Sequence, residues 1–541
     1  MKKIRSILEP ERFLLLRSAF FILHFHVDMT MNFSKLTSRF VNWREWEFNP
    51  IVIKELRQAV RSWAVTGMLL LFVAVLFITS LVFLVGQSVQ MNENVQLGGS
   101  MFQAFVIILA GASMMFIPLY IGTRVAAERV ESNTDLLYVS TLSPGRIIRG
   151  KLYCGAYMTL LFFSACIPFM AFTNLLRGVD LPSVFFILLF LFLVVCAANQ
   201  IAIFLACLPL SRPFKILLAL GGLFFSFWMI GGLIVGAIEM MRVGIGSMIS
   251  HRDFWMTAFT ILIAGLIVTG LFYVLSVALI SPPSANRAWQ PRLYITVIWL
   301  LGGLLNLVWI TQVKEPTIIM VWTMATFFVL VFALIVVASN ADELGPRVRR
   351  DIPANMLKRL LAFPFFNGAA SGLLWVCGMA AATFMLTQLT LTFGETWHPI
   401  SRGMSATDRK DFTLSVSTTI FYALAYALTA RFIHRNFFPK RPPQIAGLLT
   451  ILLVGLVAIG PGIVLFFLNQ LSWKSIDGLQ LGNIFNVFSL HEKTQQWSHF
   501  YFAGGWLALM LVISARWFLS QWRNFQPPAR PAPDNSPPVL E

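Results

Sequence analysis

Stretches of roughly 20 or more mostly apolar residues, the length a helix needs to cross the ~30 Å hydrocarbon core of a bilayer, recur along the whole of this 541-residue chain. They are Trp63–Gln87, Ser100–Gly122, Leu152–Leu176, Val184–Leu210, Ile216–Glu239, Trp255–Ile280, Leu293–Gln312, Thr317–Asn340, Ser371–Gly394, Thr413–Ile433, Ile445–Asn469 and Phe500–Trp522. The expected fold is therefore an all-α polytopic membrane protein with about twelve transmembrane helices. Only 12% of the residues are charged, about half the share found in soluble domains, so the chain cannot solvate the outside of a water-soluble globule. That composition also excludes a disordered chain. Cys154, Cys166, Cys196, Cys207 and Cys377 all sit inside apolar runs, where they behave as small hydrophobes and imply no disulfide framework.

The charges set the expected orientation, because cytoplasmic flanks collect Lys and Arg. With the N-terminus inside, 32 of the 41 basic residues and 14 of the 24 acids fall on the inner side, giving that face +18 and the outer face −1. Both termini are thus expected in the cytoplasm, and the basic excess reads as an orientation signal with no nucleic-acid partner implied. Four parts follow. Residues 1–48 form an N-terminal cytoplasmic segment, 49–280 a helix and six spans, 281–522 a second six-span bundle, and 523–541 a Pro-rich disordered tail.

The leading segment has the outline of a signal sequence in Lys2, Lys3, Arg5 and the apolar run Phe13–Val27, but Arg17 interrupts the run and no small-residue cleavage site follows, so cleavage is not expected. Met29 and Met31 leave a later translation start open. His24 and His26, two residues apart with no third ligand nearby, read as interfacial side chains and not as a metal site.

From Asn49 the sequence is patterned. Asn49 can cap a helix with Pro50 at its first position, and Ile53, Leu56, Val60 and Trp63 then recur on one face while Lys54, Arg57 and Arg61 share its flank. This predicts an N-terminal interfacial helix whose basic stems reach toward lipid phosphates. After the second span, Thr123–Lys151 begins as a charged helix carrying Glu128, Arg129, Glu131 and Asp135 and closed by Leu136 and Leu137. Ser143 and Pro144 supply a cap and first position for a new helix that carries Arg146, Arg149 and Lys151 into the third span.

These two stretches resemble the type-2 ABC transporter permeases. The resemblance rests on Asn49-Pro-Ile-Val-Ile-Lys-Glu-Leu-Arg57, and on Glu128-Arg129, Thr134-Asp-Leu-Leu137, Thr141-Leu-Ser-Pro144, Arg146-Ile-Ile148 and Gly150-Lys151. It is best over residues 49–176 and extends through Ile280. It implies a connecting helix at the inner interface, six spans per transmembrane domain, and a cytoplasmic loop between the second and third spans that docks on a separate ABC ATPase subunit. On that resemblance the docking residues are Glu128, Arg129, Glu131, Thr134, Asp135, Leu136, Leu137, Ser143, Pro144 and Arg146. The interfacial helix is Asn49, Pro50, Lys54, Glu55, Arg57 and Arg61. Ser132-Asn133 stands where many relatives have Glu-Gly, which leaves the end of the charged helix open. The resemblance further implies a bacterial-type cytoplasmic membrane, export as the commoner role, a homodimer or a second permease subunit as partner, and ATP with Mg in the ATPase and no cofactor here.

Gly145, Gly150 and Lys151 satisfy the core of a phosphate-binding loop, but Leu152 occupies the Ser/Thr position needed for magnesium, no strand precedes, and a span follows. No soluble stretch is long enough for an ATPase domain, so the chain itself is not expected to be an enzyme. In the second half, Ala341–Ala370 holds the same place within its six spans as Thr123–Lys151 does in the first. The Thr-Asp-Leu-Leu string and a connecting helix before Leu293 are missing, which favours an accessory bundle over a diverged repeat.

The spans carry no Asp, Glu, Lys or Arg at mid-depth, whereas ion-coupled secondary transporters usually hold buried ionisable groups there. Gln103, Asn199, Gln200, Asn306 and Gln388 read as interhelical hydrogen-bonding groups, Gly232 and Gly236 have helix-contact spacing, and Gly460-Pro461-Gly462 should kink its span. A polytopic glycosyltransferase-type enzyme would need outer carboxylates. Glu93, Asp180, Glu239, Asp253, Glu395, Asp408, Asp411 and Asp477 form no Asp-x-Asp or Glu-x-Asp pair, and His251, His398, His491 and His499 are expected exposed and scattered.

Overall fold

The computed structural model describes residues 50–89, 97–130, 143–176, 179–209, 211–243, 250–282, 284–313, 317–397, 406–467, 480–487 and 493–528. Among these, the helices are α1 (Pro50–Val60), α2 (Trp63–Val89), α3 (Leu97–Val130), α4 (Pro144–Leu175), α5 (Leu181–Cys207), α6 (Arg212–Val243), α7 (Arg252–Ile280), α8 (Trp289–Val313), α9 (Thr317–Ala338), α10 (Pro346–Arg350), α11 (Met356–Ala362), α12 (Ala369–Trp397), α13 (Ala406–Phe437), α14 (Gln444–Phe467) and α15 (Lys493–Asn524). A single 3₁₀ turn, Phe363–Phe365, joins α11 to the loop before α12, and no strand occurs among the described residues.

Twelve of these helices, α2 to α9 and α12 to α15 without the short α10 and α11, are long and apolar enough to cross a membrane. They coincide with the twelve apolar runs, and the chain is an all-helical multi-pass membrane protein. The ends differ where polar residues continue the helix past the apolar run. α3 goes on through Glu128, α4 starts at Pro144, and α13 starts at Ala406 with Asp408, Arg409, Lys410 and Asp411 in its first turns. Local chemistry sets several starts. Asp180 accepts from the Ser183 amide at 3.3 Å to cap α5, and Asn355 accepts from the Leu357 amide at 2.9 Å to cap α11. Ser143 occupies the cap position of α4 with Pro144 next to it, but its side chain makes no capping bond.

The two sets of six spans share one neighbour pattern. In the first, α3 packs on α2, α4, α5 and α6, and α5 packs on α3, α4, α6 and α7. In the second, α9 packs on α8, α12, α13 and α14, and α13 packs on α9, α12, α14 and α15. The pair α4–α7 has no counterpart of like extent between α12 and α15. The sets meet along α7 and α8, where Tyr294 donates to the Ile267 carbonyl at 2.9 Å. Two apolar cores result, one around Phe105, Leu109 and Phe162, the other around Leu334, Val376 and Leu428.

Polar groups inside the bundles join helices as expected of Asn199, Gln200 and Gln388. They donate to Thr159 at 3.3 Å, Ser276 at 3.2 Å and Thr413 at 2.8 Å. Asn306 instead donates back to Gly302 of its own helix at 2.7 Å. Gly232 and Gly236 face open space, with no other helix near them among the described residues. Pro461 lies inside an uninterrupted α14. His499, expected exposed, is buried: α15 begins at Lys493, and the imidazole Nδ1 stands 3.1 Å from the Tyr422 hydroxyl. The same hydroxyl accepts from the Gly482 amide at 3.0 Å, and Tyr426 donates to the Gly482 carbonyl at 2.8 Å. Gly482 has φ +101°, a conformation suited to glycine. The expected tail begins later than residue 523: α15 runs to Asn524, and Phe525 is buried against Phe363, Phe366 and Trp522.

Gly447 tests the packing of α14 on α9. A β-carbon there would stand 2.9 Å from the Ile335 carbonyl oxygen, a backbone atom that cannot yield, and would clash with the Ser339 hydroxyl. Gly447→Ala is expected to lose about 1–3 kcal/mol by overpacking, read as a lower thermal midpoint of the detergent-purified chain. Gly455→Ala, a change into open space on the same helix, should leave the midpoint unmoved.

Candidate functional site: an ion ring where α1, α3 and α4 meet

α1 carries two faces. Val52, Glu55 and Ala59, three and seven residues on, form the stripe that is buried against α4 and α2. Of the apolar face expected from the sequence, Ile53 45%, Val60 64% and Trp63 84% are exposed, while Leu56 is half-buried against the first core. Outside the bundle lies lipid, as apolar as leucine, so a helix can give its richest apolar face to the bilayer and a narrow one to its neighbours. Lys54, Arg57 and Arg61 lie exposed on the flank.

α4 presents a buried stripe of Ile147, Ile148, Lys151, Cys154 and Met158. A lysine on such a stripe must find carboxylates, since an unpaired buried ammonium is costly. Lys151, 4% exposed, finds two: its Nζ lies 3.0 Å from Glu55 Oε1 and 2.7 Å from Glu128 Oε2. Glu128 uses its other oxygen for Lys54 Nζ at 3.4 Å. Because Lys54 and Glu55 are adjacent in α1, the chain Glu55, Lys151, Glu128, Lys54 closes into a ring with two charges of each sign. It ties α1, the end of α3 and the start of α4 together at one point. The Lys54 arm is more than half exposed and contributes little; the Glu55–Lys151–Glu128 core is largely dry.

Other site residues fall around this ring. Ser143 and Arg146 are exposed at the start of α4, and Pro144 is half-buried at its first position. Tyr273 of α7 donates to the Gly145 carbonyl at 3.3 Å. Arg129 lies in the last turn of α3. Asn49, Glu131, Thr134, Asp135, Leu136 and Leu137 lie outside the described residues. Lys151 is the member that sequence reasoning missed. It was visible as the only charge on the Ile147–Ile148–Cys154 stripe, and the phosphate-loop-like string Gly145–Lys151 is ordinary helix with its lysine spent on two carboxylates.

Outside the ring, α2, α3 and α6 frame a cleft of about 390 Å³, open on its side and lined only by apolar groups, among them Phe72, Ile108, Gly111, Met115, Phe116 and Leu223. In the second bundle the charges at the helix ends are arranged differently. Asp342 pairs with Arg431 at 2.6 Å and accepts from the Trp517 indole at 3.1 Å, with Arg431 and Arg435 over the Trp517 ring. Arg292 is buried with no carboxylate beside it, donating to the carbonyls of Pro364, Phe366 and Gly368 and to Ser371 Oγ. Among the described residues no three His, Cys, Asp or Glu side chains stand together as a metal site would require.

Compared with protein-family models, with curated proteins and with solved structures, the chain has no match.

Proposed function

We propose that the chain is the transmembrane permease subunit of an ATP-binding cassette transporter, moving its substrate across a bacterial-type cytoplasmic membrane with ATP hydrolysed by a separate subunit, and working as an exporter. The observation that supports this reading most is the ion ring. Residues 131–142 join the end of α3, two residues past Glu128, to the start of α4, two turns before Lys151, so a force applied to that segment is passed through the ends of both helices to the ring. Through Glu55 it also acts on α1, and α1 leads into α2 across Arg61 and Ser62. A soluble ATPase pressing on the 131–142 segment would thereby shift α1 to α4 together, and α2 and α3 form two walls of the apolar cleft.

The cleft is open, lined only by apolar groups and wide enough for an acyl or other apolar group, which fits an amphipathic or lipid-like substrate. The common neighbour pattern of the two sets of six spans supports reading 281–522 as a diverged repeat of 49–280. Glu128 holds the ring, so in this reading the contact with the ATPase falls to Glu131, Thr134, Asp135, Leu136 and Leu137 together with the exposed Ser143 and Arg146.

The test is co-purification with the cognate ATPase, to be sought in the neighbouring reading frames, combined with ATP turnover in proteoliposomes. Reversing Glu131 and Asp135 to lysine is expected to weaken the complex at least roughly tenfold and to abolish stimulation of turnover, with the thermal midpoint of the permease unchanged. Intact assembly and stimulation in that double variant would sink the docking assignment. Transport driven by an ion gradient with no ATPase present would replace the whole reading with a secondary carrier.

A further inference from the structure

α11 has an unusual distribution of side chains for a helix between two spans. Its sequence is Met356-Leu-Lys-Arg-Leu-Leu-Ala362, and none of the seven residues is buried. At 3.6 residues per turn, Met356, Leu357, Leu360 and Leu361 fall within an arc of roughly 140°, and Lys358 and Arg359 flank that arc by about 60° on either side. The apolar arc points away from the protein, with Met356 70%, Leu357 66%, Leu360 51% and Leu361 68% exposed. The half-buried Arg359 and Ala362 lie on the opposite side. Four large apolar side chains in a row toward water would be a costly patch on so short an element.

The depth of this helix is fixed by what holds its C-terminal end. Phe363 packs edge-on against Trp522 at 5.2 Å and Phe525 at 5.0 Å, and Phe366 against Phe525 at 5.1 Å, at the very end of α15. Phe365 meets Trp289, the first residue of α8, at 5.6 Å. Arg292 clasps the carbonyls that follow, and α12 begins at Ala369. The end of α15 and the starts of α8 and α12 thus come together where α11 stops, which is the level at which spans leave hydrocarbon and where tryptophans gather. Upstream, α10 adds exposed Arg347, Arg349 and Arg350.

We propose that α11 lies in the plane of the membrane interface, its Met356, Leu357, Leu360 and Leu361 face sunk among the upper acyl chains. Lys358 and Arg359, with Arg347, Arg349 and Arg350 behind them, bind the phosphates of anionic lipids. An apolar arc bordered on both sides by cations, held at headgroup depth, matches an anionic leaflet in both chemistry and position. This does not depend on the transporter reading. It gives the 341–370 loop a lipid-binding role where its counterpart at 123–151 is assigned a protein.

The test uses the full-length chain in nanodiscs. Single cysteines replace Leu357, Lys358, Leu361 or Ala362 and carry an environment-sensitive fluorophore; the parent, whose five cysteines lie in the spans, is labelled in parallel as background. Discs contain phosphatidylcholine alone or with roughly a third phosphatidylglycerol, plus a lipid with a nitroxide near the headgroup end of its acyl chain. Labels at 357 and 361 should be quenched strongly and those at 358 and 362 weakly. Phosphatidylglycerol should increase the quenching at 357 and 361, and that increment should be lost when Arg349, Arg350 and Lys358 are changed to glutamine. Equal quenching at all four positions, or none at 357 and 361, overturns the proposal. So does burial of those labels only when the ATPase is added or the chain dimerises, which would make the face a protein-docking surface.

Discussion

Lys151→Met is expected to be the most damaging single change in the first bundle. It leaves Glu55, with 9% of its side chain exposed, facing Glu128 across a dry contact with no cation between them. Breaking a buried pair by removing one partner typically costs about 3–5 kcal/mol. The half-exposed Lys54 reaches only Glu128 and cannot compensate Glu55. The measurement is the thermal midpoint of the purified chain. A large fall is expected for Lys151→Met, a smaller one for Glu128→Gln, whose side chain is 29% exposed and retains water. Partial recovery is expected when Glu55→Gln is combined with Lys151→Met, because that change deletes the stranded charge. A midpoint for Lys151→Met equal to the parent's would mean that the ring carries no stability. In the proposed transporter the double variant should also show ATP turnover that no longer drives transport, since α1 would be cut loose from α3 and α4.

Arg292→Met should have the largest effect in the second bundle, for a different reason. Replacing a buried ion pair with apolar groups can be neutral when both partners go. Here the partners are backbone carbonyls of Pro364 and Phe366, both at 2.7 Å, and of Gly368 at 3.3 Å, which no side-chain substitution can remove. Ser371 Oγ lies within hydrogen-bond distance of the Phe366 and Gly368 carbonyls and can take over part of the load. The Pro364 carbonyl has no such substitute among the bonds seen here. A loss of about 3 kcal/mol is expected, from one or two unsatisfied buried acceptors plus the lost charge-assisted bonds. Arg292→Lys should recover little, because three donors on one ammonium cannot reach acceptors set apart to fit a planar fork. Proteolysis offers an independent readout: the 351–366 segment should become a cleavage site in Arg292→Met and stay protected in the parent. Full rescue by lysine would show that charge alone, and not the fork, holds the turn.

The spans were legible because hydrocarbon imposes one requirement, a long apolar helix, and the twelve runs meet it without ambiguity. What hydropathy cannot register is the direction a face points. Ile53 and Val60 of α1 and Trp63 at the start of α2 lie exposed, yet Val52, Glu55 and Ala59 turn inward, because lipid accepts leucine-like surface as readily as a neighbouring helix does. The spacing of Gly232 and Gly236 likewise marks only a capacity for close approach, and among the described residues no helix comes near them. Arg292 figures in the sequence only as a positive charge, and Lys151 only as a basic residue of the Gly150-Lys151 string at the start of the third span. Their roles depend on partners 96 and 72 to 79 positions away, which no local pattern can reveal. Glu128 is expected from the sequence as a docking residue, and the structure turns it toward Lys151 and Lys54.

The narrow seam between α7 and α8 has an energetic consequence. Lys151 lies in one bundle and Arg292 in the other, and among the described residues the main packing that connects them is the pair α7–α8. Free-energy losses at sites that share no partners add, so damage to one bundle is borne by that bundle and is barely diluted by the stability of its neighbour. A polypeptide organised in this way has two melting cooperativities within one covalent chain, and a single midpoint measured for the whole describes whichever half yields first.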